Sequence, residues 1–247
     1  MVNVVGPRAT FGVIIPSTNT VVESEYYEMR PPGVSFHAGR IWIEDEDLGS
    51  DDNFEEFLVR LREQLATAVR DVMTCHPDYL IMGMSAETFW GGAAGNARFE
   101  AWIRELSGLS VSTGASACQL ALNEYGARRI GVITPYQSVG DEQVRQFFTD
   151  LGFEVAGVHG LKCPTATSIA EVPASTIEEA FLSVDGPDVD ALVQAGTNLS
   201  AVHVAPELEA RLGKPVLAIN TATLWHALRT NGIDDRFDGF GSLLAEH

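Results

Sequence analysis

The sequence predicts an α/β fold of two pseudo-symmetric lobes, each a parallel sheet of about four strands flanked by helices, with one site in the inter-lobe cleft. Three observations predict it. Short β-branched runs end in small or polar residues and lead straight into helical patterns, the alternation that builds parallel sheets with right-handed crossovers. Four such units in the first half recur in the second half, in the same order. The chain has 247 residues, 45% of them hydrophobic and 20% charged, an ordinary globular composition long enough to bury a substantial core.

The elements follow in order. Phe11–Ile15 is a strand, Pro16–Thr20 a loop and Val21–Met29 a helix; the second half repeats this as Ile130–Thr134, Pro135–Gly140 and Glu142–Leu151. Gly-Val-Ile-Ile-Pro at 12–16 matches Gly-Val-Ile-Thr-Pro at 131–135, an offset of 119 residues. The next pair is Val34–Arg40 and Val155–Lys162, each with a histidine near the strand end (His37, His159) and then a cation (Arg40, Lys162). The third is 77–83 and 189–196, apolar strands that end in Gly83 and Gly196. The fourth is Leu109–Ala117 and Pro215–Leu224, each a strand and a small polar loop before the helices Cys118–Tyr125 and Trp225–Thr230. The lobes fall at 1–115 and 116–216, with 217–247 expected to pack back on the first, since chain termini often lie close together.

In open parallel sheets, ligands bind beyond the carboxyl ends of the strands. That directs attention to the loops 16–20, 83–88, 113–116, 134–138, 161–167, 196–200 and 220–223. Ser17, Thr18, Asn19 and Thr20 place three hydroxyls and an amide ahead of a helix, more polar groups than one N-cap needs and suited to a carboxylate. Tyr136 stands in the matching second-half loop, where a phenol either donates to an oxyanion or closes the lobe interface. Gly83 and Gly196 permit close backbone approach, and Met84, Ser85, Thr197 and Asn198 follow them with further donors. Glu87 is the only acid in the nearest first-half loops; between Phe89 and Trp90 its pKa could rise toward acid–base work, the alternative being a solvated helix-start carboxylate. Asp141 and Glu142 fit that alternative better.

Other classes are set aside. A formal charge of −18 repels phosphate backbones and anionic lipid, so neither nucleic acid nor membrane is an expected partner. Three cysteines without CxxC spacing (Cys75, Cys118, Cys163) argue against a disulfide framework or zinc site and for a reducing cytoplasm. No signal-peptide pattern or long apolar run is seen. Six scattered histidines lack metal-ligand spacing, His226 reading as structural and His203 as a weak lobe-lining candidate. Gly91–Gly95 lacks the dinucleotide-binding context, and no Gly-x-Ser-x-Gly elbow occurs.

Taken together, Gly12–Glu23, Met82-Gly83-Met84-Ser85, Thr134-Pro135-Tyr136 and Pro206–Val216 resemble the Asp/Glu racemase superfamily, in its maleate isomerase and arylmalonate decarboxylase branch, over nearly the whole chain. The resemblance implies cofactor-free proton chemistry beside a carboxylate. Asn19 and Tyr136 would bind the substrate carboxylate, and Ser85 with the Gly83–Met84 backbone would complete a donor pocket. It also implies two catalytic cysteines in isomerases and racemases, one per lobe, and only the second in the decarboxylase; Gly83 and Gly196 stand at those positions, and an isomerase pocket asparagine is lacking near Ala166. Cys163, out of register but in a cleft loop, is the substitute thiol. The expected function is a cofactor-independent enzyme on a small carboxylic acid, working through an enolate-like or oxyanion intermediate. The alternatives are a hydrolase of a small amide, lactone or enamide using carboxylate-activated water, and a non-catalytic small-carboxylate binding protein. A homodimer or higher homo-oligomer is expected.

Overall fold

The computed structural model describes residues 3–247. Its first sheet is built from β1 (Ala9–Pro16), β2 (Val34–Ile41), β3 (Tyr79–Met82) and β4 (Val111–Ser112), in the order β2-β1-β3-β4. The second uses β5 (Arg129–Thr134), β6 (Glu154–Gly160), β7 (Ala191–Gln194) and β8 (Val216–Ala218), in the order β6-β5-β7-β8. Every pairing is parallel. The two sheets therefore share one topology, as the repeated strand–helix units require. The central strands β1, β3 and β7 are buried along their whole length, which is why they read as apolar runs without alternation.

The helices are α1 (Val22–Glu28), α2 (Asp51–Met73), α3 (Ala86–Phe89), α4 (Gly92–Ser107) and α5 (Gly114–Glu124) in the first half. They continue with α6 (Ser138–Asp150), α7 (Ala174–Val184), α8 (Val204–Leu212), α9 (Ile219–Thr230) and α10 (Ser242–Glu246). Ser50 caps α2 by accepting from the Asn53 N–H, and Thr113 caps α5 by accepting from the Ser116 N–H, each satisfying one orphan donor of the first turn. None of these helices is long and apolar enough to cross a membrane.

One contiguous apolar core runs through both lobes. At their junction Phe89 of α3 meets Phe147 and Phe148 of α6 at ring-centroid distances of 5.3 and 5.9 Å. β8 completes the second sheet, and α9 then crosses to the first, where it packs on α5, β3 and β4. Two helix starts differ from the sequence reading. α9 begins at Ile219, so the expected loop at 220–223 lies inside it, and α5 begins at Gly114. In both cases polar side chains find partners without breaking the helix: in α9 Asn220 bonds outward to neighbouring segments and Thr223 donates to the Ile219 carbonyl, and in α5 Ser116 donates to Glu100. Hydroxyls and amides mark caps only when their hydrogen bonds turn back on the local backbone.

Candidate functional site

The carboxyl ends of β1, β3, β5 and β7 open on one cavity, lined from both lobes. Its polar side is made by Thr18, Asn19, Ser85, Tyr136, Gly196, Thr197 and Asn198; its apolar wall by Leu48, Phe54, Phe57, Leu61, Met84 and Ile169. Among the described residues, no Asp, Glu, Lys, Arg, His or Cys lines it.

The polar side is a cross-lobe network. The Ser85 hydroxyl lies 2.6 Å from the Tyr136 hydroxyl and accepts from the Thr197 N–H at 3.0 Å. The Thr197 hydroxyl donates to the Gly83 carbonyl at 3.2 Å and accepts from Asn19 Nδ2 at 3.3 Å. Asn198 accepts from the Thr20 N–H at 3.0 Å and donates to the Ala166 carbonyl at 2.9 Å. Asn19 Oδ1 takes the N–H groups of Val21 and Val22, both at 3.0 Å. Among the described residues, the N–H groups of Met84, Ser85, Gly196 and Asn198 have no acceptor. Tyr136 rests against Phe54 at 5.5 Å, and burial pushes its phenol well above the usual tyrosine value. It is therefore a proton donor throughout the physiological range.

Thr18, Asn19, Met84, Ser85, Tyr136, Gly196, Thr197 and Asn198 thus come together. Four other candidates do not join them on the cavity wall. Ser17 donates to the Ile43 carbonyl and accepts its N–H, tying the chain after β1 to that after β2. At Gly83 a Cβ would point into the core, 2.9 Å from Ile15 Cγ1 and 3.2 Å from the Ile14 carbonyl; at Gly196 one would lie 2.5 Å from Pro135 Cδ. A side chain at 196 thus requires Pro135 to move. Glu87 turns away and accepts from Arg62 Nε at 2.7 Å; burial raises its pKa while the Arg62 bond opposes the shift. Glu87 and Cys163, expected to serve the cleft as base and thiol, thus lie off the cavity wall. Cys163 lies behind Pro135 and Gln137, its N–H on the Pro135 carbonyl and its own carbonyl taking Gln137 Nε2, and burial pushes its thiol to about 11, away from the reactive thiolate. Cys118 is buried in α5 and pushed to about 12. His37 and His159 bond to Ser35 and Ser183, and His203 pairs with Glu28 outside the cavity.

Sequence reading missed the apolar wall. Phe54, Phe57 and Leu61 sit at helical spacing on α2, where they look like ordinary core. It also missed Glu25, which is buried on α1 with Val22 and Tyr26; a carboxylate inside an apolar i, i+3, i+4 stripe was the available signal.

Comparison with known proteins follows from this geometry. The sequence profile described as arylmalonate decarboxylase matches residues 11–244. The chain belongs to the arylmalonate decarboxylase family. Family relatives include an arylmalonate decarboxylase from Bordetella bronchiseptica, 27% identical over 244 residues (96% of this chain, 97% of that protein). A maleate isomerase from Nocardia farcinica is 25% identical over 245 residues, 95% of each chain. Among solved structures, a cysteine-to-serine mutant of the Nocardia farcinica maleate cis-trans isomerase, carrying a covalently bound succinylcysteine intermediate, superposes with TM-score 0.88 at 24% identity, covering 97% of this chain and 99% of that one. A double mutant of arylmalonate decarboxylase in its liganded form gives 0.83 at 22% identity, covering 97% and 100%. The fold is therefore that of enzymes acting on small carboxylic acids.

Two buried carboxyls, Glu25 and Glu87, and the half-buried Asp141 are expected to make the stability of this family member pH-dependent. Glu25 is raised from 4.5 to about 7 and Asp141 from 3.8 to about 6, both chiefly by burial, and Glu87 is raised as well. A carboxyl whose folded pKa is raised keeps its proton where the unfolded chain has lost it. Its stabilisation is complete below the unfolded value and disappears as pH rises through the folded one. For Glu25 the window runs from 4.5 to about 7 and amounts to about 3 kcal/mol. Denaturant titrations at pH 5 and 8 are expected to show a smaller loss of stability in Glu25→Gln than in the wild type.

Proposed function

We propose that this protein is a cofactor-independent decarboxylase of small malonic acids that carry an apolar α-substituent. The single observation that carries the reading is the composition of the cavity, which offers hydrogen-bond donors on one side, an apolar wall on the other, and on neither a thiol or a base that would activate its hydroxyls.

Isomerisation of a cis double bond through a covalent adduct needs a nucleophile, and racemisation or amide hydrolysis needs a general base. Decarboxylation needs neither. The bond from Cα to the departing carboxylate breaks, and CO₂ leaves. The electron pair remains on Cα and spreads into the retained carboxylate as an enediolate, whose charge the Ser85–Tyr136 hydroxyl pair and the free N–H groups of Met84, Ser85, Gly196 and Asn198 stabilise. The departing carboxylate, placed against Phe54, Phe57 and Leu61, is stripped of water and loses its charge as it leaves. Tyr136 then gives its proton to Cα and recovers one from water by way of Ser85. Even with its pKa raised, a phenol is a far stronger acid than a C–H beside a carboxylate, so this transfer runs downhill.

A binding protein without turnover is the second reading, favoured by one observation: Ser85, Tyr136 and Thr197 satisfy one another across the lobes, as a closed recognition site would. Proton NMR in D₂O separates the two, with phenylmalonate, benzylmalonate and maleate as substrates. The expected result is α-deuterated phenylacetate and 3-phenylpropionate, with maleate unchanged. Line-broadening of the malonates without product supports the binding protein, and fumarate from maleate excludes the proposed chemistry. Glu87→Gln is expected to retain malonate turnover to within about threefold, since its carboxylate lies off the cavity.

A further inference from the structure

Behind the donor cluster lies a second polar layer that the proposed chemistry does not use. Glu25, on α1, is buried beneath the turn that follows β7. One of its oxygens accepts from the Ser200 hydroxyl at 2.9 Å; the other accepts from Asn220 Nδ2 at 2.5 Å. The same Nδ2 donates to the Thr197 carbonyl at 2.9 Å. An amide nitrogen carries two protons, and both are used here. The orientation of the amide is therefore fixed: turning it over would set its oxygen against a carboxylate and a carbonyl. Asn220 Oδ1, which faces the other way, is buried without a partner. An unsatisfied buried acceptor costs about 1–3 kcal/mol, and holding Thr197 is the evident compensation.

Thr197 is where the two layers join. Its carbonyl takes Asn220, its N–H takes Ser85, and its hydroxyl links Gly83 to Asn19. Three segments that are distant in sequence (the loop before α1, the loop after β3 and the start of α9) converge on this one peptide of the β7 turn.

We propose that Glu25 and Asn220 are positioning residues of the pocket: the buried carboxyl holds the Asn220 amide, and that amide fixes the Thr197 peptide so that its N–H and hydroxyl stay aimed at the donor cluster. The proposal rests on the reading that this cluster is the ligand site, but its test needs no turnover.

Ionisation of Glu25 supplies the readout. Burial raises its pKa to about 7, against the opposing bonds from Asn220 and Ser200. The charged groups around it are few. His203, ahead of α8, favours the charged form, and Glu28, one turn along α1, opposes it; these two are bonded to each other at 2.8 Å. The neighbouring phenol, Tyr26, is fully buried and stays protonated. From α9 the carboxyl meets the neutral Asn220. Glutamine at position 25 would preserve the arrangement, its oxygen accepting from Asn220 and its amide donating to Ser200, while removing the titration.

The experiment follows the Thr197 amide in ¹⁵N-labelled full-length protein from pH 5 to 9, with Gly126 as a remote reference. In wild type the Thr197 signal is expected to move in one step centred near 7, the value expected for Glu25. Glu25→Gln is expected to abolish the step while keeping the signal near one of its two wild-type end points. Asn220→Ala is expected to displace the signal and uncouple it from pH. A Thr197 amide that is flat across the range in wild type overturns the proposal, as does a step that survives in Glu25→Gln or a signal unmoved by Asn220→Ala. If Asn220→Ala does not fold, the wild-type and Glu25→Gln arms decide. The amide reports whether or not any acid is decarboxylated, so failure here and failure of the decarboxylase reading are separate results.

Discussion

Tyr136→Phe is expected to lower kcat for malonate decarboxylation by about 10²–10³-fold, the usual cost of removing one preorganised oxyanion donor. The hydroxyl contacts only Ser85, while the ring packs on Phe54. Phenylalanine therefore keeps the packing and deletes the proton. Ser85 retains the Thr197 N–H, so the donor cluster loses one member without collapsing. The proposed mechanism gives the phenol two tasks, stabilising the enediolate and protonating Cα, and both are absent from the ground state. The loss should accordingly fall on kcat and leave KM within a small factor. Steady-state CO₂ release from phenylmalonate checks this. A change confined to KM would make Tyr136 a binding contact only.

Asn19→Ala carries the second large effect, and it acts on stability as well as on the site. Asn19 is buried, and its oxygen serves two backbone N–H groups at the start of α1. Alanine strands both where water has little access, at about 1–3 kcal/mol for each unsatisfied group. The expected total is about 2–6 kcal/mol, measurable as a lower denaturant midpoint at unchanged slope. The same change removes the Asn19–Thr197 bridge between the lobes. Asn19→Asp separates the two effects: a carboxylate keeps the N–H acceptor and lacks the donor. It should hold most of the stability while losing affinity for carboxylates, which it would also repel.

The fold was legible because its signals are periodic. Buried parallel strands are short apolar runs, and the repeat of Gly12–Pro16 at Gly131–Pro135 marked a second lobe built from the same strand–helix units as the first. The donor loops were legible for a related reason, since strand ends in such sheets face the ligand and Asn19, Ser85, Tyr136 and Thr197 all lie just beyond one. Residues that act from inside helices were hidden. Phe54 and Phe57 form the cavity wall from a helical stripe indistinguishable from core, and Asn220 lies within α9 where the sequence suggested a loop. The side-chain direction of Glu87 was not legible: its position in the chain, two residues past Ser85, does not give it, and Arg62, twenty-five residues upstream on α2, holds it off the cavity wall. Glycine at 196 reads as an absence in the sequence but fits a close contact with Pro135 in the fold.

The central claim is that an uncharged, thiol-free cavity performs the chemistry. CO₂ release from phenylmalonate by the Cys163→Ala enzyme, with deuterium incorporation followed in D₂O, tests it most directly, because Cys163 is the thiol nearest in sequence to the cavity residue Ala166. A rate within about twofold of wild type and one deuteron at Cα of the product are expected. Loss of turnover in a variant that still folds and binds phenylmalonate would contradict it and return the reaction to a cysteine.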